Sequence, residues 1–159
     1  MARRVFFSFH YERDVWRAGQ VRNSWVTRDR ESAGFWDSAA WEEVKNKGND
    51  AVEKWIDDQL KGTSVTVVLI GAETSTREYV GYEIRQSHKK GNGMLGIYIH
   101  NMKDNYKRTD TMGANPFYNW AFRDSNSNVV TYPTYDWVND DGYNKMAGWI
   151  EAAATKAGK

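Results

Sequence analysis

Glu83 is the residue whose type and setting point first to chemistry. It lies in Tyr79-Val80-Gly81-Tyr82-Glu83-Ile84. On a helical wheel Val80, Ile84 and Ser87 gather on one face, with Glu83 about 60° from Val80 and about 40° from Ser87. Arg85, Glu78 and Lys89 point the other way. Glu83 therefore borders the buried stripe, and Tyr79 stands one turn before it at the same cleft edge. A partly buried carboxylate beside an aromatic ring can bind and stabilise a cation. The competing reading is a boundary glutamate salt-bridged to a nearby Arg or Lys, because half-buried carboxylates are often structural. Other candidate contacts follow the apolar runs. Phe9, His10 and Tyr11 come after the first, and His10 reads equally as a plain loop histidine. Asp37 is a candidate contact or a helix cap. Ser75 is both a candidate contact and the first residue of a capping box, Ser75-Thr76-Arg77-Glu78. Trp36 reads as core more than as a ligand stack, and Arg77 as a solvated helix-start arginine more than as a pyrophosphate contact.

Much chemistry is excluded outright. The chain has no cysteine, so disulfides, thiolate metal sites and Cys nucleophiles fall together. Its three histidines, His10, His88 and His100, have no i, i+4 pairing, which argues against a metal site. No Walker loop and no G-x-G-x-x-G follow the first apolar run. Ser8-Phe9-His10-Tyr11-Glu12 lacks the glycines of a flavin phosphate loop. A phospho-receiver domain needs a carboxylate where this chain reads Ile70-Gly71-Ala72.

The elements that must position these residues alternate in kind. Val5–Phe9, Ser64–Gly71 and Met94–Ile99 are short, nearly continuous apolar runs, the pattern of strands buried on both faces. Gly34-Phe35-Trp36 predicts a short further strand, and Val129–Tyr132 a last one stopped by Pro133. Helical spacing covers Trp41 to Leu60, with Ser38 as N-cap and Gly62 after the end. Helices are also predicted from Val15 to Val26, from the Ser75 cap to about Lys89, and from Tyr143 to Thr155. This order predicts an α/β, flavodoxin-like, doubly wound and mainly parallel sheet with helices on both faces. Phe6, Val68 and Ile97 are expected in its interior strands. Ligands then sit outside the carboxyl ends of the strands, at Ser8–Asp14, Trp36–Trp41, Gly71–Glu83 and His100–Asp104.

Size and charge set the class. The 159 residues predict a single domain over residues 1–159. Twenty-two basic against 21 acidic residues argue against an electrostatic nucleic-acid binder, which needs a strongly basic face. The apolar run behind Met1-Ala2-Arg3-Arg4 is too short for a signal peptide or a membrane span, so a cytoplasmic protein is expected. Mean hydropathy is low at −0.79, and eight Trp, nine Tyr and six Phe supply apolar area instead.

Taken together, the segments carry a resemblance. Val5-Phe6-Phe7-Ser8-Phe9 followed by Asp14 resembles the opening strand of TIR domains, which is aromatic-x-Ser-aromatic and then an acidic residue. Tyr79-Val80-Gly81-Tyr82-Glu83-Ile84 resembles the TIR signature W-C-x-x-E-L, with Tyr79 for Trp and Val80 for Cys. The likeness is closer to the ThsB group of bacterial Thoeris antiphage systems. It rests on Val5–Tyr11, Val21–Thr27, Ser64–Gly71 and Asn115-Pro116-Phe117, and spans most of Arg4 to about Trp137.

The resemblance implies an enzyme that splits the nicotinamide–ribose bond of NAD, with Glu83 as its catalytic glutamate. ThsB-like members make a cyclic ADP-ribose isomer as a signal. NAD is then the substrate, and no cofactor is implied. The resemblance also implies self-assembly and a separate nucleotide-sensing effector acting through the product. Nicotinamide is already a cationic leaving group, so what remains is to stabilise an oxocarbenium-like ribose. Under this reading Phe9, His10 and Tyr11 contact the adenosine half, and Tyr79 stacks on nicotinamide or ribose. Two other readings stay open: a plain NAD hydrolase with the same site, and a non-catalytic TIR or flavodoxin-like interaction module.

Overall fold

The computed structural model describes residues 3–26, 31–33 and 38–159, with side chains from 3 to 25 and from 42 to 159. Five parallel strands form its sheet: β1 (Arg4–Ser8), β2 (Glu31–Ala33), β3 (Val65–Ile70), β4 (Gly93–Tyr98) and β7 (Thr134–Asp136). Their spatial order is β2-β1-β3-β4-β7. The register Val5 to Val65 through Ser8 to Val68 is parallel. Phe6, Val68 and Ile97 are fully buried on interior strands, as their apolar runs predict.

Side-chain alternation divides the core into two faces. Val5, Phe7, Phe9, Val65, Val67, Leu69, Leu95 and Ile97 pack with helices α1 (Tyr11–Val26) and α5 (Gly142–Lys156). On the other face, Phe6 packs with Val52, Ile56 and Leu60 of α3 (Asn49–Leu60). Val68 and Ile70 pack there with Val80 and Ile84 of α4 (Glu78–Lys90). Ser8 shares the parity of Phe6 and so faces α4.

Several boundaries differ from the sequence reading. The helix expected over Trp41–Leu60 is two, α2 (Ser38–Asn46) and α3. They are separated at Lys47-Gly48, where Gly48 has a φ of +99° that disfavours a side chain. Helix α1 starts at Tyr11, four residues before the expected Val15, with Glu12 and Asp14 in its first turn. The Ser75 capping box does not form. Thr74–Thr76 is a 3₁₀ turn, closed by Thr76 N–H to Glu73 O and Arg77 N–H to Thr74 O, so α4 begins only at Glu78. The expected strand at Gly34–Trp36 lies outside the described residues, and β2 precedes it.

The last strand is also corrected. Val129–Val130 forms β6 of a small antiparallel hairpin with β5 (Phe122–Arg123). The edge of the main sheet is instead β7, just after Pro133. Proline lacks an N–H but keeps its acceptor, and Pro133 O takes the Gly96 N–H at 2.9 Å. Tyr135 then stacks on Trp149 of α5 with centroids 4.1 Å apart. Among the described residues no helix is long and apolar enough to cross a membrane.

Candidate active site

From β1 the chain moves to one side of the sheet through α1 and β2. It then returns past β1 to β3, so the connections leaving β1 and β3 part to opposite faces. Such a switch point opens a crevice at the carboxyl ends of the strands. Here it is a cavity of about 130 Å³. Phe9 and His10 follow β1, Tyr11 and Glu12 begin α1, and Ile56 comes from α3. Arg77, Glu78, Tyr79, Val80 and Glu83 come from the start of α4.

Glu83 lies deeper than the helical wheel placed it. It is only 6% exposed, inside the buried stripe of α4 instead of on its border. Ser8 Oγ donates to Glu83 Oε1 at 2.8 Å. No lysine or arginine among the described residues forms an ion pair with it, so the salt-bridged boundary glutamate is not what this structure holds. Burial pushes its carboxyl up to about 8, and the Ser8 hydrogen bond opposes the rise. At neutral pH Glu83 is therefore mostly the neutral acid.

Tyr79 packs its ring against the Phe6, Ile56 and Leu60 cluster and lines the cavity. Its hydroxyl donates to Asn49 Oδ1 at the start of α3. The ring faces the site while the hydroxyl ties α4 to α3. His10 is buried, and its Nδ1 accepts the Arg13 backbone N–H at 3.4 Å. That leaves Nε2 to carry the proton of the neutral ring. Burial first, and the Arg77 charge second, lower its pKa below the ordinary 6.5. Glu12 is paired with Lys45 of α2 at 3.0 Å, which lowers the Glu12 carboxyl and links α1 to α2 beside the cavity.

Of the residues singled out from sequence, Phe9, His10, Tyr11, Tyr79 and Glu83 meet at this cavity. Ser75 does not line it; it sits in the 3₁₀ turn, and its carbonyl accepts from Asn119 Nδ2 at 2.9 Å. Asp37 lies outside the described residues. Sequence reasoning missed Ser8 as the partner of Glu83, although strand alternation on β1 was enough to put it on the α4 side. It also passed over Glu12, Glu78 and Ile56. Nothing local marks Ile56 as a cavity residue, because its spacing is that of any buried helical position.

Asp14, the acidic residue after the first strand, has a different setting. It is 1% exposed and tucked against Gly71, where a Cβ would fall 2.1 Å from Asp14 Oδ2. Neither carboxyl oxygen has a partner with hydrogen-bonding geometry. Burial, and then Asp110, raise it to about 6, opposed by Arg13, Arg17 and the Thr74 hydroxyl.

The family model for the Thoeris protein ThsB, TIR-like domain, matches residues 6–104. That stretch is well over half of the chain and contains the end of β1 with Ser8, β3, α4 and Glu83. The chain belongs to the ThsB TIR-like family. A curated relative from Bacillus cereus (strain MSX-D12) is 37% identical over 193 residues, covering 94% of this chain and 100% of the relative. Its name is "Putative cyclic ADP-D-ribose synthase ThsB1". The family assignment joins the two halves of the site, since one matched region supplies both the strand bearing Ser8 and the helix bearing Glu83.

Proposed function

We propose that the protein cleaves the nicotinamide–ribose bond of NAD and closes the product into a cyclic ADP-ribose isomer, a signal in bacterial antiphage defence. The observation that carries this reading is Glu83, a buried carboxyl with no cation partner among the described residues, facing a cavity beside the Tyr79 ring. The relative's name, a cyclic ADP-ribose synthase, points to the same chemistry.

The cavity's 130 Å³ is well below the roughly 300–1,000 Å³ typical for a drug-sized ligand. It suits the nicotinamide end of a dinucleotide, with the adenosine half reaching out over the rim. Ionised Glu83 faces the positive charge that moves from the pyridinium ring to the ribose as the bond breaks. The C1′–N bonding pair leaves with nicotinamide, which departs neutral and needs no general acid. Tyr79 offers a ring face for stacking. Neutral His10 offers an Nε2–H donor, and Arg77 with the start of α4 offers a positive rim for pyrophosphate oxygens. An adenine nitrogen or ribose hydroxyl of the same molecule then takes the C1′ cation. A nucleophile held in place outcompetes water through effective molarities of about 10⁵–10⁸ M in the best-oriented cases. If water attacks instead, linear ADP-ribose forms.

The cyclic nucleotide would act on a separate nucleotide-sensing effector, and self-assembly would complete or gate the site. Incubating the pure protein with NAD and resolving products by chromatography and mass tests the reading. A product one water lighter than ADP-ribose is expected. The linear mass alone would reduce the protein to a hydrolase, and no consumption in the assembled state would leave the interaction module. Activity rising more than proportionally with protein concentration would support assembly as the control.

A further inference from the structure

We infer that the cavity selects its ligand by charge: Glu83, which has no counter-ion among the described residues, takes a permanently cationic ring as its ion partner, and the ring displaces the carboxyl proton on binding. The inference rests on the proposed NAD-cleaving function and concerns the recognition step of that same site.

The two glutamates of the cavity with a described partner differ sharply. Glu12 is paired with Lys45 at 3.0 Å. Glu83, much the more buried, has one neutral donor, Ser8. The groups facing it come from every described element around the cavity. β1 gives Ser8, the link after it gives His10, and α1 gives Tyr11 and Glu12. α3 contributes the apolar Ile56, Arg77 comes from the N-cap of α4, and α4 itself gives Glu78 and Tyr79. Lys45 of α2 is turned to Glu12. The Arg77 charge acts on His10 and Glu12, whereas no charged group shifts Glu83. An unpaired ionised carboxylate at such depth is costly, so Glu83 keeps its proton until a cation pairs with it.

An N-ribosyl pyridinium brings the missing charge. The step balances as neutral acid plus cation giving an ion pair plus one proton to solvent. A reduced, uncharged dihydropyridine of nearly the same shape gives no such exchange. Cleavage reverses the pairing. Once nicotinamide has left neutral and the ribose cation is captured, Glu83 again lacks a partner and takes up a proton, which favours product release.

The test is calorimetric titration of the full chain at pH 7 with carba-NAD⁺, a cationic analogue whose glycosidic bond cannot be cleaved. Buffers of different ionisation enthalpy report the proton count. About one proton released per site is expected from the Glu83 value of about 8. Glu83→Gln should bind without proton release, and NADH should bind at least about tenfold more weakly than carba-NAD⁺ and release none. In turnover, kcat/KM for NAD should rise about tenfold per pH unit below pH 8 and level off above it. Ser8→Ala removes the one donor and should move that break upward by about one pH unit, a shift that loss of structure would not mimic. A break below pH 6.5 that ignores Ser8→Ala would belong to His10 and overturn the inference. Binding without proton release, or equal affinity for NADH, would overturn it while leaving NAD cleavage standing. Absence of both binding and turnover at every pH would overturn the proposed function, and this inference with it.

Discussion

Two carboxyl groups are buried at the same edge of the sheet, and their settings differ. Glu83 and Asp14 are 6% and 1% exposed. Burial is the leading cause of a raised pKa in each, to about 8 and about 6. Their surroundings separate them. Asp14 is enclosed by backbone at Gly71 and flanked by Arg13, Arg17 and Asp110. Arg13 is bonded to Asp110, and Arg17 Nε donates to Met102 O. Those cations hold the loop after β4 across the edge and partly offset the Asp14 charge. Among the described residues Glu83 forms no ion pair, and it lines a cavity of about 130 Å³. Depth alone therefore does not mark a functional carboxyl. What marks it is depth together with missing charge compensation and room for something that would supply it.

The sharpest way to break this contrast is Glu83→Gln. NAD turnover should fall by about 10²–10³ with the fold retained, the usual loss for one preorganised electrostatic group. Near-normal turnover in a folded variant would remove Glu83 from the chemistry. Stability should move the other way. A carboxyl whose folded pKa is raised stays protonated in the folded chain while the unfolded chain ionises. The folded state therefore loses stability as pH climbs from about 4.5 to about 8. Urea unfolding should show Glu83→Gln gaining on the wild type across that window and matching it near pH 4.

Asp14→Asn should repeat the stability effect without the catalytic one. The same sign applies over a lower window, from about pH 4 to about 6. A difference of about 2 units corresponds to roughly 3 kcal/mol. The variant's advantage should therefore develop between those values and stay constant above them, with turnover near that of the wild type. Loss of turnover comparable to Glu83→Gln would erase the distinction between the two carboxyls. Gly71→Ala probes the same enclosure from the backbone side. Its Cβ would meet Asp14 Oδ2 at 2.1 Å, so it should cost about 1–3 kcal/mol as the carboxyl is displaced. Thermal unfolding equal to the wild type would mean that the enclosure is loose.

The smallest effects belong to Tyr79. Tyr79→Phe keeps the ring and loses the hydrogen bond to Asn49, so it should cost about 1 kcal/mol of stability or less and retain most turnover. Tyr79→Ala should lose far more turnover, because it opens the cavity wall next to Glu83. Equal damage from both substitutions, measured as kcat/KM, would shift the role from the ring to the hydroxyl.

The amino-acid sequence determined the central sheet and the identity of its buried strands. The runs Val5–Phe9, Ser64–Gly71 and Met94–Ile99 are apolar on both faces, and a strand covered by helices on both sides has that signature whatever its neighbours. The sequence also marked Glu83 and Tyr79 as neighbours on α4, because a helix puts residues four apart on one face. Short edges were not legible. β7 is three half-buried residues after a proline, stabilised by pairing with β4 and by the Tyr135–Trp149 stack. The start of α4 was set by a competition between Ser75 capping and the Thr74 turn, and the Thr74 hydroxyl accepting the Gly71 N–H favours the turn. Only the tertiary structure decided that Glu83 would be deep, bonded to Ser8 and, among the described residues, outside any ion pair. Ser8 and Glu83 stand 75 positions apart, and helical periodicity describes one element's face, not the charges other elements bring to it. The parting of the β1 and β3 connections made the cavity, and the elements packed across it bring Glu83 a neutral donor, Ser8, and no ion pair among the described residues.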